Sequence, residues 1–103
     1  MSYQQAMQAG DYGVAIATLE TLLQNDPNQP RLWYTKAVAL LSLKQPTAAI
    51  IAIEQALRLN PNMAIAHRLL AKAHRQTGDT SKAIMAYKQA TRLYLNDQDR
   101  TNA

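Results

Sequence analysis

Apolar residues recur along this chain at helical spacing, most clearly between Trp33 and Pro61. Trp33, Ala37 and Leu40 fall at i, i+4 and i+7, one face of a helix, and Ala49, Ile53 and Ala56 make a matching stripe on the next segment. The short break Lys44-Gln45-Pro46 separates the two. Small alanines between large apolar side chains let helices approach ridge into groove, so the stretch predicts an αα-hairpin with a polar outside.

The same hairpin returns when the sequence is moved by 34 residues. Forward, Ala37 becomes Ala71, Ala49 becomes Ala83, Ala56 becomes Ala90 and Leu59 becomes Leu93; backward, Ala49 becomes Ala15, Leu57 becomes Leu23 and Pro61 becomes Pro27. Gly78-Asp79 lies two periods from Gly10-Asp11, and no gap is needed anywhere. A fixed period of this length marks stacked helical repeats.

Local signals set the expected boundaries. Residues 1–9 predict a short helix, frayed at its start and stopped by Gly10, after which Asp11 caps a helix to about Asn25. Pro27 and Pro30 end it, because proline cannot donate a backbone hydrogen bond and disfavours helix before itself. A third helix is expected from Arg31 to Leu43, and a fourth from Pro46 to Asn60. Asn62 is expected to cap a fifth that ends at Gly78, and Asp79 or Thr80 to start a sixth that fades near Leu95. The polar stretch 96–103 lacks periodicity and is expected to be a frayed tail.

With these residues in phase, the chain resembles the tetratricopeptide repeat family. The central copy supplies Trp33, Lys36, Ala37, Leu40, Ala49, Ile53, Ala56 and Pro61; the third supplies His67, Leu70, Ala71, His74, Ala83, Tyr87 and Ala90, with Leu95 where proline would stand. The resemblance covers residues 1–95: a truncated repeat 1–28, then 29–62 and 63–95. It departs from the family pattern at Lys36 and at Lys44-Gln45-Pro46. It implies an all-α fold of antiparallel hairpins stacked as a short right-handed solenoid. The first helix of each repeat would line a concave surface.

That implication selects candidate binding residues. Beside the Trp33 stripe run Tyr34, Val38 and Leu41; one period on, the same positions hold Arg68, Lys72 and Arg75, and one period back Gln4 and Met7. An apolar, aromatic strip should therefore lie beside a basic one, flanked by Arg31, Thr35, Ser42, Ile65, Leu69 and Gln76. Like charges on one helix face repel by a few tenths of a kcal/mol per pair. Such a surface suits a peptide or helix of a protein partner that offers both acidic and apolar residues. A subfamily of these repeats clamps acidic chaperone tails with Lys, Asn and Arg. The positions of that clamp hold Gln4, Thr35, Ile65 and Leu69 here, so the resemblance does not extend to it.

Composition narrows the picture further. The chain has 103 residues, enough for one domain, and no cysteine, which removes disulfides and thiolate chemistry. No basic leader followed by an apolar run opens the sequence, and no apolar stretch approaches the roughly 20 residues of a membrane span. A soluble, cytoplasmic chain is the expectation. The net charge of +4 lies wholly in residues 52–103, which hold eight basic and four acidic side chains against three of each in residues 1–51. An alternative partner is then nucleic acid or an anionic membrane, met by Arg58, Arg68, Lys72, Arg75, Lys82, Lys88 and Arg92. Aromatic rings are not interleaved with those charges, which counts against it.

Catalytic and metal chemistry find no pattern to rest on. His67 and His74 sit about 10.5 Å apart along a helix, unlike the i, i+4 pairs of zinc sites, and both take packing positions. Glu20 and Glu54 lie one period apart on outer faces, expected to be solvated rather than an acid and base pair. Ser2, Ser42 and Ser81 have no His or Asp neighbourhood, and the three glycines mark turns. No cofactor, metal, small-molecule substrate or enzymatic activity is expected. Ile84, Tyr87, Leu93 and Leu95 should be left uncovered at one end. The chain would then be a piece of a longer protein, favoured because the first repeat is cut inside a helix, or would pair as a homodimer.

Overall fold

The computed structural model describes the backbone of residues 1–102 and the side chains of residues 1–97. It contains α1 (Tyr3–Ala9), α2 (Tyr12–Asn25), α3 (Pro30–Ser42), α4 (Pro46–Leu59), α5 (Ala64–Thr77) and α6 (Thr80–Asn102). Each helix packs on the next, and α3 also touches α5. The hairpins α1–α2, α3–α4 and α5–α6 stack as an all-α, right-handed solenoid.

The turn inside each hairpin is the same structure three times. Gly10, Lys44 and Gly78 all take the left-handed conformation, at φ 74°, 59° and 86°. In each turn the following N–H reaches back into the helix: Asp11 to the Ala6 carbonyl (2.8 Å), Gln45 to Leu40 (2.9 Å) and Asp79 to His74 (2.9 Å). The left-handed residue itself donates to Met7, Leu41 or Arg75, which completes a Schellman cap. Lys44 thus adopts a conformation that suits glycine, because the two hydrogen bonds of the cap require it.

The turn between hairpins is also repeated. Asp26 and Asn60 share an extended backbone (φ −146° and −142°). The Asp26 side chain accepts from the Asn28 N–H at 3.0 Å, and that of Asn60 from the Asn62 N–H at 3.3 Å. A ring nitrogen then staples each turn to the next helix. Trp33 Nε1 donates to the Pro27 carbonyl at 2.8 Å, and His67 Nε2 stands 2.9 Å from the Pro61 carbonyl. A carbonyl can only accept, so Nε2 of His67 carries the proton. The histidine does in one repeat what the tryptophan does in the other.

Several expected boundaries change for reasons visible in these bonds. The start of α1 is not frayed: Ser2 and Gln5 exchange a capping box, at 3.0 and 3.1 Å. Asn62 does not cap α5: the Met63 carbonyl accepts the first helical bonds, from the Ala66 and His67 N–H groups, so Met63 takes the cap position, without a side-chain bond. Asp11 caps α2 without a side-chain bond, whereas Asp79 Oδ1 accepts from the Lys82 N–H at 3.2 Å. The largest difference is at the end, where α6 continues past Leu95 to Asn102. Tyr94-Leu95 stands one period after Asn60-Pro61, so neither the side-chain turn nor the proline breaker is present, and nothing in residues 96–102 forces the helix to stop.

The core follows the alanine pattern. Ala15, Ala37, Ala49, Ala56, Ala71, Ala83 and Ala90 are all buried, and Leu19 and Ile53 are the largest side chains with no exposed surface. Leu19, Leu23 and Leu32 form one cluster, while Ala37, Leu40, Leu41, Ile53, Met63 and Leu69 belong to a second joining α3, α4 and α5. Trp33, only half-buried, packs against both and so bridges them.

Candidate functional site

The alternate face of the first helices forms two adjoining clefts. The first, of about 440 Å³, is lined by Tyr34 and Val38 of α3, by Ile65, Arg68, Leu69, Lys72 and Arg75 of α5, and by Tyr87 of α6. The second, of about 560 Å³, is lined by Tyr3, Gln4 and Met7 of α1 with Arg31, Tyr34, Thr35 and Val38 of α3. Tyr34 and Val38 belong to both, so the clefts form one path from α1 to α6. Helix α3 can serve both because Tyr34 and Val38 are one turn apart on the same face.

Eight of the nine binding residues selected from sequence line this path: Arg31, Tyr34, Thr35, Val38, Arg68, Leu69, Lys72 and Arg75. Leu41 does not. It is 3% exposed and lies in the core cluster shared by α3, α4 and α5, because the third hairpin covers the end of α3. Of the expected flanks, Ile65 lines the first cleft, Gln76 joins Lys72 and Arg75 at a smaller recess, and Ser42 hydrogen-bonds back to the Val38 carbonyl at 3.0 Å. Thr35 likewise donates to the Arg31 carbonyl at 2.9 Å, which leaves its oxygen free to accept.

Tyr3 and Tyr87 are the lining residues that sequence reasoning did not place in the clefts. The sequence marks Tyr87 as an uncovered apolar position on a second helix, not as a cleft residue. Its equivalent one period earlier, Ile53, is wholly buried, whereas Tyr87 is 36% exposed, and only the packing brings that ring to the border of the first cleft.

Charge is one-sided here. Arg68, Lys72 and Arg75 are exposed and form no ion pair among the described residues. The ion pairs lie elsewhere: Lys36 stands 3.5 Å from Glu20, and Lys82 3.8 Å from Asp79. Lys36 also sits over the Trp33 ring, 5.4 Å from its centroid. Glu20, expected to be merely solvated, therefore pairs with the lysine that departs from the family pattern. The described residues hold no group of three side chains suited to a metal ion.

Profiles of the tetratricopeptide repeat match residues 6–73 and 66–97. The chain belongs to the tetratricopeptide repeat family. This tetratricopeptide repeat chain is 29% identical over 89 residues to the small glutamine-rich tetratricopeptide repeat-containing protein 2 of Mycosarcoma maydis, covering 86% of this chain and 25% of that protein. It is 35% identical over 74 residues to the tetratricopeptide repeat and J domain-containing co-chaperone DNJ1 of Cryptococcus neoformans, covering 72% of this chain and 14% of that one. It thus spans a quarter or less of these curated relatives. Among solved structures it is similar to MamA from MSR-1 (TM-score 0.87, 26% identity, 92% of this chain and 55% of that one). It shares its fold with PcrH, crystallised in complex with the chaperone binding region of PopD (TM-score 0.85, 21% identity, 88% and 68% covered). No described helix is long and apolar enough to cross a membrane.

Proposed function

We propose that this chain is an interaction module that holds a segment of a partner protein along the path from α1 to α6. The segment carries apolar side chains over Tyr34 and Val38 and acidic side chains over Arg68, Lys72 and Arg75. The observation that carries this is that Tyr34 and Val38 line both clefts while the basic trio lines only one, so apolar and basic surfaces adjoin on a single face. The fold it shares with PcrH, whose crystal holds a region of PopD, supports a protein partner. The positions of the chaperone-tail clamp (Gln4, Thr35, Ile65 and Leu69) line the same face without a cation, so the recognition of acid moves to the neighbouring trio.

A displayed library of random peptides, selected on the chain and sequenced, tests this. Selected peptides should combine acidic and apolar residues. Lys72→Glu with Arg75→Glu should abolish the enrichment, and Lys82→Glu with Lys88→Glu should leave it. The reverse pattern rejects the cleft. Selection of purely acidic sequences whose binding falls by orders of magnitude between 50 and 200 mM salt would instead favour an anionic polymer or membrane.

A further inference from the structure

The seam between the second and third hairpins supplies a template for the open side of α5 and α6. At that seam Tyr34, Val38 and Leu41 of α3 and Ile53 of α4 meet the third hairpin. Leu41 is 3% exposed and Ile53 is 0% exposed. Moved by one period, these positions become Arg68, Lys72, Arg75 and Tyr87. Tyr87 is 36% exposed, and Ile84, the equivalent of Ile50, is 49% exposed. Among the described residues no helix lies on this second seam. It keeps the outline of a helix-packing site, because α5 and α6 repeat the backbone of α3 and α4. Its chemistry differs: three cations replace an apolar trio.

That replacement decides what can occupy it. A helix with an ordinary repeat's apolar residues would desolvate three unpaired charges, which is strongly unfavourable. A helix with carboxylates at those contacts would satisfy them, while its neighbouring apolar side chains cover Ile84 and Tyr87. We infer that the α5–α6 seam docks an amphipathic helix of a partner protein, in the place a following repeat helix would take, with acidic residues one turn apart facing Arg68, Lys72 and Arg75. The cations fall at i, i+4 and i+7 and span about 10.5 Å of α5, so the acidic residues must recur at the same helical interval. A second copy of this chain does not meet that requirement. Of its seven acidic residues, no two are three or four positions apart. This inference rests on the proposed function only in taking Lys72 and Arg75 as partner contacts; it places the occupant beside α6 rather than across α3 and α1.

The test uses a fluorescent helical peptide of about 18 residues, long enough to hold helix when docked, with Glu at i, i+4 and i+7 beside a Leu stripe, and a twin with Gln for Glu. Anisotropy titrations against the full chain should show the Glu peptide binding about tenfold tighter than the Gln peptide. Tyr87→Ala should weaken the Glu peptide about tenfold, as loss of a central aromatic contact does. Met7→Glu, in the far cleft, should leave it within about twofold. Lys72→Val with Arg75→Leu, which restores the residues of α3, should invert the preference between the peptides. No binding of the Glu peptide, or equal affinity for both, overturns the inference. Binding lost in Met7→Glu but kept in Tyr87→Ala also overturns it, yet leaves the proposed function standing. Sensitivity to Lys72→Glu with Arg75→Glu alone, with Tyr87 and Met7 both silent, also overturns it, while the displayed-peptide selection decides the proposed function separately. Self-association in sedimentation, abolished by that charge reversal, would make a second copy the occupant and overturn the partner helix.

Discussion

Trp33 holds two clusters together, so its removal is the sharpest test of how this array is stabilised. Trp33→Ala deletes a half-buried ring that packs against Leu19, Leu23 and Leu32 on one side and against the α3–α5 cluster on the other. Truncating a fully buried aromatic costs about 3–5 kcal/mol, and partial exposure brings the packing share nearer 2–3. Loss of the hydrogen bond to the Pro27 carbonyl adds about 0.5–1 kcal/mol, and loss of the Lys36 contact about 0.5. The sum, about 3–4.5 kcal/mol, is a large part of the total stability of a domain this size, about 5–15 kcal/mol. Trp33→His should cost about half as much, because His67 makes the same ring-to-carbonyl bond one period later. The assay is urea unfolding followed by far-ultraviolet circular dichroism, since Trp33 is the single tryptophan and its fluorescence disappears with it. A cost below about 1 kcal/mol for Trp33→Ala would refute the bridging role. Equal costs for the two variants would refute the equivalence of the two staples.

Two further substitutions use the repeat as their own control. Lys44→Gly should raise the melting temperature by about 2–8 °C: relief of the left-handed backbone, about 1–2 kcal/mol, outweighs the added freedom of the unfolded chain, about 0.5–1. A lower melting temperature would show that the lysine side chain stabilises the turn. Tyr94→Asn with Leu95→Pro restores the turn that follows α2 and α4. It should shorten α6 and lower the helical signal in proportion to Asn96–Asn102, and an unchanged signal would mean that α6 does not depend on the missing breaker.

Much of this was legible before any coordinates. The order of six helices, the stacking of hairpins and eight of the nine candidate groove residues follow from phase alone, because side-chain direction on a helix is set by spacing. The continuation of α6 is also within reach of the sequence: Leu95 stands in place of proline, and a polar composition beyond it does not by itself stop a helix. The pairing of Lys36 with Glu20 was not legible, since it joins α2 to α3 at residues sixteen positions apart with no shared pattern.

By itself the sequence determined the 34-residue period, the hairpins, the helix stops at Gly10 and Gly78, and the face on which the basic trio stands. Only the tertiary structure decided which members of that face are covered. Leu41 and Arg75 occupy equivalent positions, yet the first is sealed in the core and the second is open. The physical reason is that direction belongs to a single helix and its local spacing, whereas burial belongs to a pair of helices and depends on whether a neighbour is there.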